Sequence, residues 1–266
     1  MRIAVLVPAL AGSLALTTGL VAGPAGAQAA VPATHGAIPQ HAISHHPRAG
    51  GSGNGRLSQD GGNWSGYVAT GGTFTSASLS WTEPSADCGG AGGYNPMDTL
   101  VGIGGYHDQQ SFPVETGVSV QCDHPNGPVY WGLFQSNSDG RQYYMDLPIS
   151  PGDSFTASVT KNGGGNEYML TLTDHTKGWT KATPVSDQLS NSSVEAVNEY
   201  DSPTYVKYGA VHFTGFSVNG KDASSFEPTA LETSNLFYYV DHTSGLSGGD
   251  FSITQSPNPA QPPPSV

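Results

Sequence analysis

Residues 76–82 read SASLSWT, and this short stretch carries the pattern on which the fold prediction rests. Ala77, Leu79 and Trp81 alternate with small hydroxyl-bearing residues, and a period of two is typical of a strand with one buried face. Residues 114–121, VETGVSVQ, alternate in the same way. Because no apolar period of 3.6 continues for a dozen residues, we expect strands and no long helices.

The same alternation recurs along the chain, with turn-forming residues between the segments. Further predicted strands are 129–135, 153–161, 167–173, 194–199, 205–218 and 236–240. Segments such as Pro151-Gly152-Asp153 and Asn219-Gly220 favour turns between them. About ten to twelve short strands at this spacing predict an all-β fold, an antiparallel β-sandwich.

The two ends of the chain differ in composition from its middle. Residues 1–29 combine Arg2, an apolar run and a small-residue cleavage pattern, which predicts a signal peptide and a secreted, extracellular protein. Residues 30–56 are rich in Pro, Ala, Gly and His, and residues 256–266 are rich in Pro, so we expect both segments to be disordered. A single globular domain is then predicted at 57–255, with no membrane anchor.

Charge is unevenly distributed along the chain. All 21 acidic residues lie at or beyond Asp60, where there are only six basic residues, so this part of the chain carries a net charge of −15. Such a surface repels a nucleic-acid backbone, which excludes nucleic acid as a partner. Solubility outside the cell explains the acidic balance. Adaptation to low pH explains it as well, because a domain with few cations limits its positive self-repulsion once its carboxylates protonate.

Cys88 and Cys122 are the only cysteines, and in an exported chain a disulfide between them is the default expectation. The histidines of the domain show no spacing typical of metal ligands. We therefore expect neither a metal ion nor an organic cofactor.

Two of the alternating segments present carboxylates. Glu115 shares the polar face of 114–121 with small residues, and Glu195 and Glu199 share one face of 194–199. A carboxylate on the open face of a sheet, with small neighbours that leave room for a substrate, fits a catalytic site. It also fits an ordinary solvated strand, so alternation alone leaves both interpretations open.

A series of short motifs in a fixed order favours the catalytic interpretation. The motifs are NWSGYV at 63–68, WTEPS at 81–85, VGIGG at 101–105, VETG at 114–117, PGD at 151–153, LTLTD at 170–174, TKGW at 176–179, VEAVNE at 194–199 and YGAVHFT at 208–214. Taken together they resemble the glutamic peptidases, the eqolisin family. The resemblance spans about 63–218, most of the predicted domain.

The resemblance implies a concanavalin-like sandwich of two large sheets with a concave substrate groove, and a Gln/Glu pair that hydrolyses peptide bonds at acid pH. The glutamate of that pair activates a water molecule and then protonates the leaving amine, while the glutamine stabilises the oxyanion. Glu199 falls on the glutamate position, with Glu195 as the alternative if the strand register is shifted. Glu115 stands at the glutamine position, and Trp64, Gln135 and Glu195 are expected to contact the substrate.

Glu115 in place of glutamine changes the predicted chemistry without excluding it. A protonated carboxyl group donates a hydrogen bond to an oxyanion much as an amide does. Two carboxyl groups that share a site split their pKa values, so that one stays protonated in acid. Gln135 stands where the family has a glutamate, so the substrate preference of relatives is not carried over.

We therefore predict a monomeric acid endopeptidase that cleaves proteins or peptides with Glu199 and Glu115. Residues 31–56 hold four histidines and two arginines and no acidic residue, so they either cover the acidic groove as an inhibitory prosegment or form a spacer. The disulfide is expected to hold one wall of the groove.

Two other classes of function remain open. The same sandwich without activity would be a binding module that holds a polysaccharide or peptide on solvent-facing aromatics such as Tyr143, Tyr144 and Trp179. A glycoside hydrolase would instead place Glu115 and Glu199 roughly 5 to 9.5 Å apart around a sugar.

Overall fold

The computed structural model describes residues 58–88, 96–106, 112–122, 127–200, 206–233 and 239–259. The predicted signal peptide and prosegment lie outside these ranges, and so does most of the predicted tail. Within the described ranges the chain forms sixteen strands and one 3-10 helix, Ala223–Phe226.

Eight strands form a sheet that we call the first sheet. They are β1 Ser58–Asp60, β2 Trp64–Thr70, β4 Met97–Ile103, β5 Val114–Gln121, β6 Val129–Ser136, β7 Gly140–Tyr144, β11 Ser193–Tyr200 and β14 Thr229–Glu232. Their spatial order is β1-β14-β2-β11-β4-β5-β6-β7. Only the pair of β1 with β14 is parallel among the pairings of the described residues.

The other eight strands form the second sheet. They are β3 Ser76–Thr82, β8 Ser154–Asn162, β9 Glu167–Asp174, β10 Trp179–Ser186, β12 Ala210–Val218, β13 Lys221–Asp222, β15 Tyr239–Thr243 and β16 Phe251–Pro257. Their order is β10-β9-β8-β3-β12-β16-β15, and β13 pairs with β12.

The main hydrophobic core lies between the sheets, because each sheet contributes one apolar set of alternating side chains to it. Leu79 and Phe155 come from the second sheet, and Val101 and Val118 come from the first. The predicted antiparallel β-sandwich is therefore confirmed.

The two segments with the clearest alternation have the predicted bounds, since β3 and β5 coincide with 76–82 and 114–121. The prediction of ten to twelve strands was too low. The strands β2 and β4 were not predicted from alternation, because each carries apolar residues on both faces, as Leu100 and Val101 do on β4. The second sheet continues to Pro257 of β16, which pairs with Tyr239 of β15. It therefore includes two residues of the predicted tail, 256 and 257.

The predicted disulfide is confirmed. Cys88 and Cys122 are bonded, with their Cα atoms 5.4 Å apart, and they join the segment after β3 to the residue that follows β5. Both cysteines belong to the core between the sheets. The bond therefore ties the segment after β3 to the end of the Glu115 strand, as predicted, and its role in holding a groove wall stays a prediction.

Among the described residues, no helix has the length and apolar character needed to cross a membrane.

Candidate active site

The face of the first sheet that points away from the main core carries a second hydrophobic cluster. Its buried members are Trp64, Val68, Leu100, Tyr106, Leu133, Tyr143, Val197 and Leu231. Strand alternation puts Glu115, Glu195 and Glu199 on this same face, because Glu195 and Glu199 are each two residues from Val197 and Glu115 is two residues from the partner of Leu100. We call it the carboxylate face.

Three rows of residues cross the carboxylate face, since directly paired residues on neighbouring strands point the same way. The first row contains Glu195, Gly102, Glu115, Gln135 and Arg141. The middle row is mostly apolar and contains Val197, Leu100, Gly117, Leu133 and Tyr143. The third row contains Glu199, Asp98, Ser119 and Trp131.

Gly102 lies between Glu115 and Glu195 in the first row and leaves a space that both side chains border. A Cβ atom at position 102 would collide with Oε1 of Glu195 and would lie 2.8 Å from Cβ of Glu115. The two glutamates are two strands apart, which separates their Cα atoms by about 9.5 Å. Their side chains converge over the glycine, so the fold brings Glu115 and Glu195 together.

Glu115 and Glu195 are both fully buried, and none of their four carboxyl oxygens has a hydrogen-bond partner among the described residues. Burial raises the pKa of each well above its ordinary value, because the ionised form loses its hydration. The charge of Glu199 raises both pKa values further, whereas the Arg141 guanidinium lowers the pKa of Glu115. Glu115 and Glu195 lie on the predicted faces of their strands. They are buried, however, whereas side chains on an open sheet face would be solvated.

Glu199 has a different environment in the third row. Its Oε2 accepts a hydrogen bond of 2.6 Å from Nη2 of Arg141, and its Oε1 accepts one of 3.1 Å from Nδ2 of Asn63. Both of its oxygens are therefore engaged by donors, in contrast to those of Glu115 and Glu195.

Arg141 connects the first and third rows. Its Nε donates to Oε1 of Gln135 in the first row. Its Nη1 donates to Oδ2 of Asp98 over 3.1 Å, and its Nη2 reaches Glu199, both in the third row. The side chain is 17% exposed, so it passes over the middle row with limited access to water.

The model of the peptidase A4 family matches residues 62–245. The chain belongs to the peptidase A4 family. It is therefore a glutamic-type peptidase, a hydrolase that acts on peptide substrates, as the motifs predicted. No curated protein sequence matches the chain significantly. Membership of the peptidase A4 family favours neither the binding module nor the glycoside hydrolase.

Two solved structures show the same fold as this peptidase A4 protein. One is scytalido-glutamic peptidase with a transition state analog inhibitor, 23% identical, with a TM-score of 0.61 over 73% of this chain and 98% of that chain. The other is SCP-B, a member of the eqolisin family of peptidases, in a complex with the tripeptide Ala-Ile-His. It is 23% identical, with a TM-score of 0.58 over 73% of this chain and 98% of that chain.

The other two predicted substrate-contacting residues of this family member also lie on the carboxylate face. Trp64 stacks against Tyr106 with ring centroids 6.4 Å apart, and it pairs with Glu199 across β2 and β11. Gln135 pairs with Glu115 across β5 and β6. All five predicted site glutamates, glutamines and aromatics thus share one surface, and their roles stay predictions.

The aromatic platform expected for a binding module is not formed by the predicted tyrosines. Tyr143 is buried in the middle row, and Tyr144 packs edge-to-face on Phe134 in the main core. Trp179 is half-buried and packs against Phe155. The prediction that these rings face solvent was wrong for both tyrosines.

Sequence reasoning missed four residues of this site: Asn63, Asp98, Gly102 and Arg141. Two of them left a signal. Arg141 is the only arginine after Arg56, and Asp98 interrupts an otherwise uncharged strand. Among the described residues, no group of three or more His, Cys, Asp or Glu side chains is arranged to hold a metal ion.

Proposed function

We propose that this peptidase is a secreted acid endopeptidase in which Glu115 and Glu195 form the catalytic pair. The supporting observation is that these two buried carboxyl groups, without hydrogen-bond partners among the described residues, border one space over Gly102. The sequence prediction paired Glu115 with Glu199. The geometry favours Glu195, because both oxygens of Glu199 are engaged by Arg141 and Asn63.

The chemistry requires one carboxylate and one carboxylic acid. The carboxylate takes a proton from a water molecule while the water oxygen forms a bond to the carbonyl carbon of the peptide. The carboxylic acid donates a hydrogen bond to the oxyanion that develops. When the C–N bond breaks, the proton taken from water passes to the leaving amine. The two groups titrate as a unit with two apparent pKa values.

The same pair sets the pH range of activity. The first ionisation creates the base and the second removes the acid, so the rate follows a bell-shaped profile. Because burial raises the pKa of both glutamates, we expect the bell to lie at higher pH than two exposed glutamates would give. The strictly acidic window expected from the family resemblance stays a prediction to be measured.

Secretion and activation belong to the same proposal. The signal-like segment 1–29 supports export. The basic segment 31–56 precedes a domain of opposite charge, which supports a zymogen in which that segment covers the carboxylate face. Protein truncated at Leu57 should be more active between pH 3 and 6 than the longer form, and equal activity would show that the segment does not inhibit.

The pair is tested by digestion of a denatured protein between pH 3 and 7. Cleavage should survive a chelator, serine and cysteine reagents and an inhibitor of aspartic peptidases. Glu195→Gln should lose about 10² to 10⁴ in kcat/KM, because it removes the base, whereas Glu199→Gln should keep most of the activity. If Glu199→Gln loses activity and Glu195→Gln keeps it, Glu199 is the base. The absence of cleavage at any pH would support a binding module.

A further inference from the structure

The carboxylate face gathers many acidic groups around one cation. Glu115 on β5 faces Glu195 and Glu199 on β11, Asp98 on β4 and Arg141 on β7. Its neighbour on β6 is the neutral Gln135. Four carboxyl groups therefore share a single guanidinium group in this part of the structure.

We propose that Arg141 is a positioning residue of the catalytic site, whose guanidinium group ties Asp98 and Glu199 in place and supplies the positive charge that acts on Glu115, the acid of the pair, and so sets the upper pH limit of activity. The assignment rests on the proposed function, since it concerns the same pair of carboxyl groups.

The hydrogen bonds of Arg141 support the first part of this role. A planar guanidinium group presents its N–H donors as a rigid fork, and here the fork meets Gln135, Asp98 and Glu199 on three different strands. These contacts draw two carboxylates of the third row to the cation. Asp98 and Glu199 are then held away from the space over Gly102 and leave it to Glu115 and Glu195.

The charge of Arg141 supports the second part. When Glu115 loses its proton, a negative charge appears in a buried space, and the carboxyl groups of Glu199, Glu195 and Asp98 oppose it. Among the charged groups of the described residues that act on Glu115, Arg141 favours the ionised form and lowers the pKa, while those three carboxyl groups raise it. Arg141 therefore lowers the pH at which Glu115 gives up its proton and activity ends.

The test compares Arg141→Gln, which removes the charge, with Arg141→Lys, which keeps the charge but not the fork. The control is Lys221→Gln, which removes one positive charge from an exposed position on β13 of the second sheet. Two readouts are needed: the pH profile of kcat/KM, and a ¹³C NMR titration of the glutamate carboxyl carbons. Only seven glutamates are present, so the Glu115 and Glu195 signals can be assigned by substitution.

Arg141→Gln should raise the titration midpoint of Glu115 and move the alkaline limb of kcat/KM to higher pH by about one unit, because an opposite charge is lost. Above the wild-type limb, activity relative to the maximum should be about tenfold higher in Arg141→Gln than in wild type. Arg141→Lys should restore most of the shift, and Lys221→Gln should move neither readout. If Arg141→Gln and Arg141→Lys lower kcat equally without moving the limb or the midpoint, Arg141 is only structural and the proposal is overturned.

The NMR titration separates this inference from the proposed function. If the wild-type protein cleaves no peptide, the proposed function fails, yet a raised midpoint in Arg141→Gln would still show that Arg141 controls the pair. If Arg141→Gln does not fold, Arg141→Lys decides alone. A retained charge should keep the midpoint within about half a unit of wild type, and a larger rise would contradict the proposal.

Discussion

Strand alternation forms the outer faces of both sheets, but the second sheet presents hydroxyl groups there and the first sheet presents carboxyl groups. The second sheet presents a row of hydroxyl groups across five strands, formed by Thr180, Thr173, Thr156, Ser80 and Thr214. Neighbouring hydroxyl groups in this row form hydrogen bonds with each other. The Ser80 and Thr156 hydroxyl oxygens are 2.8 Å apart, and those of Thr173 and Thr180 are 3.1 Å apart. The first row of the carboxylate face likewise runs across neighbouring strands and contains two buried carboxyl groups, Glu115 and Glu195. Their oxygens have no hydrogen-bond partner among the described residues.

The difference separates scaffold from site. Partly exposed hydroxyl groups that bond each other and water cost the fold little. Burial of an unpaired carboxyl group costs several kcal/mol or forces the group to stay protonated. A sequence keeps such a cost where function needs it, so the unsatisfied row is where chemistry is expected and the satisfied row is where it is not.

Among changes that leave the glutamates themselves in place, the largest effect should follow from filling the space over Gly102 in the carboxylate row. In Gly102→Ala the new methyl group meets Oε1 of Glu195 and Cβ of Glu115, so one of the two must move. A displacement of about 1 Å should lower kcat/KM by roughly 10²-fold. Gly164→Ala is the control, because a Cβ there meets nothing within 4 Å, and an equal loss in both variants would contradict a special role for position 102.

Glu83 sharpens the comparison as a buried carboxyl group outside both rows. It accepts a hydrogen bond of 2.8 Å from Nε1 of Trp81, and burial raises its pKa to about 8. Since the folded state holds this proton more tightly than the unfolded state, stability is greatest below the ordinary glutamate pKa and falls as pH rises toward 8.

We expect Glu83 to contribute a loss of about 2 kcal/mol in the free energy of unfolding between pH 5 and 7. Glu83→Gln should remove that part of the pH dependence, as measured by urea unfolding at both pH values, while activity is retained. Exposed Glu167 provides the control. If the change in unfolding free energy between pH 5 and 7 is the same in Glu83→Gln as in wild type, the buried proton is not its cause. An equal reduction of that change in Glu167→Gln would lead to the same conclusion.

A smaller effect is expected when the carboxylate row is made less acidic. Glu115→Gln keeps a hydrogen-bond donor for the oxyanion but removes the proton whose loss ends activity at high pH. Activity should persist, and the alkaline limb of kcat/KM should move upward by about one pH unit. Complete loss of activity in Glu115→Gln would instead identify Glu115 as the essential base or nucleophile.

The smallest effect should come from the hydroxyl row. Ser80→Ala removes one hydroxyl–hydroxyl hydrogen bond, and the Thr156 hydroxyl that remains also lies 2.8 Å from Nε2 of His175. The free energy of unfolding should fall by less than about 1 kcal/mol in urea titrations. A drop in kcat/KM at unchanged stability would show that this face takes part in function after all.

Much of the fold could be predicted because alternation is a local property. The bounds of β3 and β5 were correct because apolar and polar residues alternate along both sequences, although β5 is buried on both faces. The strands β2 and β4 were not identified from alternation because apolar residues lie on both of their faces, in the main core and in the second cluster. Two apolar faces leave no period of two in the sequence.

The site divides in the same way. The sequence alone predicts that Glu195 and Glu199 share a face, since residues two apart on a strand point the same way wherever the strand lies. The proposed pairing of Glu115 with Glu195 depends on the tertiary structure, because Gly102 of β4 pairs with both glutamates, which are 80 positions apart in the chain. The reach of Arg141 across the middle row and the burial of the pair likewise arise from contacts between distant segments. No local pattern encodes those contacts, because a slip of one residue in register would turn the same side chains toward the opposite face.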